Sequence, residues 1–223
     1  MPTQARAFFN SLSLGLPSLN GLMLVLSAKT GLTEAVLLDN EYMTAVRTAA
    51  AGAVAARWLA RQDSKRVAII GAGEQARLQL RALTLVRDIE EAVVWAQTEA
   101  AAHVYAAEMA DGLGVHCSVA PDVCRGLSNV EIAITTMPSH EPLVKASDVR
   151  PGLQITAMGS DAEHKNEVRL GLIAAARYIC DRLSQTRVLA ELRHGRGGER
   201  CCIRGAGRRH YWAWHRPDER RGT

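Results

Sequence analysis

Arg66–Ala76 reads RVAIIGAGEQA, and the fold depends on how this stretch is interpreted. Val67, Ala68, Ile69 and Ile70 form an aliphatic run with no polar alternation, the pattern of a strand buried on both faces. The run stops at Gly71-Ala72-Gly73, and Glu74 through Arg87 then reads as a helix. A G-x-G-x-x-G/A match carries meaning only in such a strand–turn–helix setting. Gly71 permits the tight turn, Gly73 lets the backbone approach a pyrophosphate, and Ala76 is small enough for the helix to close on the strand. The free N–H groups at the helix start face the anion, with the helix dipole assisting. The alternative is an ordinary strand-to-helix turn that uses glycine for packing alone.

Strands and helices alternate downstream. Ala92–Ala96 predicts a second strand, Glu99–Leu113 a second helix closed by Gly114, and Val115–Val119 a short third strand. Pro121–Gly126 reads as a helical turn, Val130–Thr135 as a fourth strand, Leu153–Met158 as a fifth and Tyr178–Cys180 as a sixth. This alternation argues for an α/β fold with a doubly wound parallel sheet, whose ligand crevice lies at the carboxyl ends of the strands. Upstream, Leu22–Ser27 and Glu34–Leu38 flank a loop containing Gly31 and read as a β-hairpin. Asp39 or Asn40 is placed to cap the next helix. That helix, Glu41–Arg61, is alanine-dense and strongly helical despite Gly52. Three segments result: 1–61, 62–190 as the nucleotide-binding unit, and the tail 191–223.

Composition narrows the function classes. The 223 residues are 48% hydrophobic but only 4% aromatic, so the core must be built from Ala, Leu and Val. No apolar run approaches the roughly 20 residues of a membrane span, and MPTQARAFFN lacks the pattern of a signal peptide. The five cysteines form no C-x-x-C pair and are odd in number, which suggests neither a disulfide framework nor a metal site. A reduced, cytoplasmic protein is the expectation. The net charge of +4 is concentrated in the tail, where nine Arg stand against four acids from Glu191 onward; the body sums to −1 and gives nucleic-acid binding no support. The tail mixes Arg, Gly, His, Cys and Trp without period, and reads either as an out-of-frame extension or as a disordered basic one.

Four groups fall at the carboxyl ends of predicted strands. The first is Gly71–Gln75, with Glu74 and Gln75 opening the helix. The second is Gln97, where an acid would ordinarily hold the adenine ribose; Gln97 and Thr98 precede Glu99, so NAD and NADP both remain open. The third is Thr135-Thr136, a pair of hydroxyls facing either the cofactor or only the start of a loop. The fourth is Gly159-Ser160-Asp161, whose carboxylate can handle an amine proton or cap a helix, with Lys165 four residues on as an anion partner or a solvated charge. Arg47 is a long cation among alanines, suited either to bidentate capture of a carboxylate or phosphate or to an exposed position.

GLPSLNGLM (Gly15–Met23), VRTAAAGAVAARWLAR (Val46–Arg61), IGAGEQARLQL (Ile70–Leu80) and TAMGSDAEHKNEV (Thr156–Val168) together resemble the ornithine cyclodeaminase/mu-crystallin family. The likeness is nearest to the cyclodeaminase-like proteins of bacterial ectoine utilisation and runs from about Phe8 to Leu189. It implies a Rossmann domain joined to an α+β substrate and dimerisation domain, NAD(H) or NADP(H) between them, and a homodimer. It implies hydride transfer at the amine-bearing carbon of a small amino acid, with loss of ammonia and ring closure, or reduction of a cyclic imine or keto acid. By position, Arg47 resembles the arginine that grips the substrate carboxylate and Asp161 the catalytic acid/base. Glu74, Gln75, Thr135 or Thr136, Lys165 and Ser18 resemble cofactor contacts. The family pattern also places a lysine just before the FFN-like segment and a further N-terminal segment before that, where this sequence has MPTQAR. A chain cut at both ends, with partial activity or only nucleotide binding, is the corresponding expectation.

Overall fold

In a computed structural model, residues 21–38, 40–159, 165–180 and residue 186 are described. The chain divides into two compact units, Met1–Arg47 and Thr48–Thr223.

The first unit holds the expected hairpin, β1 (Met23–Leu26) and β2 (Thr33–Leu37), paired antiparallel with a register shift at Val25/Leu26. Gly31, at φ 72°, turns the loop. The helix that follows, α1 (Tyr42–Leu59), begins in this unit and continues into the second. Asn40 adopts a left-handed conformation, φ 45°, instead of the extended one of an N-cap. Its expected capping role is therefore corrected, and Asp39 lies outside the described residues.

Among its described residues, the second unit holds a five-stranded, all-parallel sheet in the order β5-β4-β3-β6-β7, comprising β3 (Arg66–Ile70), β4 (Glu91–Trp95), β5 (His116–Val119), β6 (Ile132–Thr135) and β7 (Gln154–Ala157). The order reverses at β3, which makes this a Rossmann-type sheet with its switch point at the expected strand. Helices α2 (Glu74–Thr84), α3 (Glu99–Leu113), α4 (Val123–Leu127) and α5 (Leu170–Ala175) cover it. Val67 and Ile69 point into a core with Ala56, Ala60, Leu80, Leu83, Tyr105 and Met109; Ala68 and Ile70 point into the opposite one with Leu127, Ile155, Leu172 and Ile173. Burial on both faces is what the unbroken aliphatic run required.

Gly52 has a packing role. A Cβ there would stand 2.0 Å from Gln79 Oε1, whose amide Nε2 donates to the Thr48 carbonyl of α1 at 3.1 Å. The sixth strand expected at Tyr178–Cys180 is absent from the sheet. Both end residues are buried, but they pack into the second core; burial, not strand pairing, produced the apolar signal. Among the described residues no helix is long and apolar enough to cross a membrane.

Candidate functional site

The turn after β3 is built by two glycines with different constraints. Gly71 has φ 126°, and its N–H donates to the Trp95 carbonyl at 2.8 Å. A Cβ on it would lie 2.4 Å from Thr136 Oγ1. Gly73 has ordinary angles, φ −82° and ψ −172°, and precedes α2 without a side-chain cap. A Cβ on Gly73 would meet nothing within 4 Å. The turn is thus an open cradle in front of a helix whose first N–H groups have no partner within the helix. A pyrophosphate fits both features: room at Gly73, and donors with the positive end of a helix dipole behind them. Ala76 is fully buried, as close packing of α2 on the sheet demands.

From behind, α3 holds this turn. The Tyr105 hydroxyl donates to the Ala76 carbonyl at 3.0 Å. Burial pushes the phenol well above its ordinary range, so it stays a donor. Arg77 Nη1 donates to the Ala72 carbonyl and, at 3.2 Å, to that of Gly73, while its Nε donates to Glu108 Oε2 at 2.7 Å. Arg77 and Tyr105 escaped the sequence reading. The available signal was position, because side chains on a helix lean toward its N-terminus and Arg77 sits four residues after Gly73.

At the ends of β6 and β7 the organising group is Glu167, also missed. Its fully buried carboxylate accepts from Thr135 Oγ1 at 2.9 Å, Met137 N at 2.7 Å and Gly159 N at 2.7 Å. A Cβ on Gly159 would lie 2.6 Å from that carboxyl group and 2.2 Å from the Met137 carbonyl, so the two strand ends meet closely around it. The Thr135 hydroxyl, a candidate cofactor contact, is instead turned inward and committed to Glu167. Thr136 is the half-buried member of the pair, donating through N and Oγ1 to the Ile70 carbonyl at 2.9 and 3.3 Å, beside Gly71.

Gln97 is exposed after β4, and Thr98 caps α3 by accepting from Ala101 N at 3.4 Å. Glu74 is exposed and Gln75 half-buried at the start of α2. Lys165 is half-buried two residues before Glu167, and Arg47 is exposed on α1 in the first unit. Ser18 and Asp161 lie outside the described residues. The second unit therefore brings together Gly71, Gly73, Thr136 and the first turn of α2. Among the described residues no cluster could hold a metal ion.

Residues 9–202 match the family described as ornithine cyclodeaminase/mu-crystallin. A Rhizobium meliloti (strain 1021) protein provisionally named dehydrogenase RB0419 is 53% identical over 187 residues, 84% of this chain and 57% of that one. A Sinorhizobium fredii (strain NBRC 101917 / NGR234) protein named uncharacterized cyclodeaminase y4tK is 50% identical over 188 residues, with the same coverage. The chain spans little more than half the length of these curated relatives. An archaeal alanine dehydrogenase dimer with bound NAD has a similar fold, at a TM-score of 0.79 and 35% identity over 84% of this chain and 57% of that one. The Δ1-pyrroline-2-carboxylate reductase of Thermococcus litoralis, in complex with NADH and L-proline, also gives 0.79, at 30% identity over 85% of this chain and 60% of that one.

Proposed function

The chain belongs to the ornithine cyclodeaminase/mu-crystallin family, and from that membership we propose that it binds NAD or NADP and serves hydride transfer at the amine-bearing carbon of a small amino acid. The observation that carries the reading is the open, uncapped turn at Gly73, set beside Gly71 and Thr136 at the switch point of the sheet. The nicotinamide supplies the hydride acceptor or donor. Backbone N–H groups at Gly73–Gln75 hold the pyrophosphate, with Thr136 and Lys165 alongside the cofactor and Gln97 near the adenine ribose. Arg47 takes the substrate carboxylate as a bidentate guanidinium, and Asp161 takes and returns the proton of the amine. Deamination with ring closure is the leading chemistry, supported by the cyclodeaminase name of the Sinorhizobium relative.

A second reading is reduction of a cyclic imine or keto acid, favoured by the similarity to the pyrroline-2-carboxylate reductase. An ectoine breakdown product is one substrate to include. Titration with NADH and NADPH, followed by cofactor fluorescence, tests the binding step; saturable micromolar binding is expected. Release of ammonia and proline from ornithine then supports the first chemistry. Imine reduction without ammonia loss supports the second, and binding with neither reduces the function to nucleotide binding.

A further inference from the structure

We infer that Arg77 is a positioning residue for the dinucleotide turn, fixing the peptide planes that present N–H groups to pyrophosphate; the inference rests on the cofactor reading above. In a trans peptide the C=O and N–H point in opposite directions. The Ala72 carbonyl shares its plane with the Gly73 N–H, and the Gly73 carbonyl shares its plane with the Glu74 N–H. Arg77 Nη1 donates to both carbonyls. Holding them on the guanidinium side aims the two N–H groups the other way. The Gly73 carbonyl also accepts from Arg77 N at 3.3 Å as α2 begins, so the guanidinium matters most at the Ala72–Gly73 plane. Without that hold, rotation of this plane meets no side-chain resistance, since glycine tolerates either sense and no atom lies near the missing Cβ of Gly73. Such a rotation would turn a carbonyl, with its partial negative charge, toward the anion.

The guanidinium is itself anchored. Glu108 accepts from Nε at 2.7 Å, and the Tyr105 ring lies beneath Cζ, 5.4 Å from its centroid. Tyr105 in turn holds the Ala76 carbonyl. These two anchors, Glu108 and the Tyr105 ring, make Arg77 part of the framework behind the turn, and they distinguish it from a mobile cation that would fold over the phosphate. Lysine cannot reproduce the fork.

The test is NADH and NADPH affinity of the full chain and its variants, with melting temperature measured in parallel. Arg77→Met and Arg77→Lys should each weaken binding about tenfold, and the loss should persist at high salt, where the Debye length is on the order of 3 Å. Glu108→Gln, on a part-exposed side chain, should weaken binding in the same direction by releasing the guanidinium. Arg81→Met should leave affinity unchanged; Arg81 also lies near Glu108, at 3.8 Å, but makes no bond to the turn. Tighter binding in Glu108→Gln, or a loss in Arg77→Met that vanishes with salt, would mean that Arg77 contacts the phosphate directly and would overturn the inference. Saturable binding by the parent chain with unchanged affinity in Arg77→Met would overturn it alone. No saturable binding of either nucleotide by the parent would remove the cofactor reading, and the inference with it.

Discussion

Gly71 and Gly73 are two residues apart and are glycine for different reasons. At Gly71 the backbone sits at φ 126°, and Thr136 Oγ1 occupies the space of a Cβ. At Gly73 neither constraint holds, so a methyl group there would face only open space, where the proposed pyrophosphate would lie. Gly73→Ala should therefore leave stability unchanged or raise it by about 0.4–1 kcal/mol while sharply weakening NADH binding; thermal melting and fluorescence titration on one sample check both halves. Glu167 is the opposite case, a residue inside the Thr156–Val168 segment that no spacing singles out and whose carboxylate accepts from Thr135 and Met137, both distant in sequence. Glu167→Gln replaces one acceptor oxygen with a donor and leaves either Met137 N–H or Gly159 N–H facing an NH2 group. The expected cost is about 1–3 kcal/mol, read as a lower urea midpoint at constant m-value.

Among the elements, α1 shows how propensity and packing divide the work. Its alanines favour a helix anywhere, yet its end is fixed by a side chain from elsewhere. Arg87 donates to the carbonyls of Arg57 at 2.8 Å, Ala60 at 3.0 Å and Arg61 at 3.1 Å, satisfying C-terminal groups and placing a cation at the negative end of the dipole. Arg87→Met should cost about 1–2 kcal/mol and increase hydrogen exchange at the last turn of α1, with little effect on the amides of β3. Sequence boundaries erred by a few residues at helix ends: α1 stops at Leu59, not Arg61, and α2, capped by its own backbone at Leu85, stops at Thr84, not Arg87. Helix α3 matched its expected span, because both ends carry local signals, the Thr98 cap and Gly114 at φ 67°.

For the molecule as a whole, acid should act on the seam between β3 and β6. Glu131 accepts from Arg66 N at 2.8 Å, Lys65 N at 3.3 Å and Arg66 Nη2 at 2.8 Å. Burial alone would raise this carboxyl group, but the bonds from Arg66 and Lys65 outweigh it and hold the group below its ordinary value of 4.5. A lowered folded value means stability that is fully present above the unfolded value and is lost as pH falls through the folded one. Melting temperature should accordingly drop on acidification below about 4.5, and Glu131→Gln should flatten that part of the profile while lowering the plateau above it.

The sequence by itself determined the doubly wound core and the glycine turn between β3 and α2. Both rest on short-range patterns: an aliphatic run that only a doubly covered strand can bury, and a strand–glycine–helix turn in which the angles of Gly71 exclude other residues. Gly71, Gly73 and the start of α2 were legible for that reason. Tertiary structure alone decided that Thr135 turns inward and Thr136 faces the turn, that Tyr178–Cys180 packs as core instead of pairing as strand, and that Glu167 and Tyr105 organise the site. Each of those outcomes depends on hydrogen bonds or packing contacts whose direction no local pattern encodes, between segments as far apart as Thr135 and Glu167 or Ala76 and Tyr105.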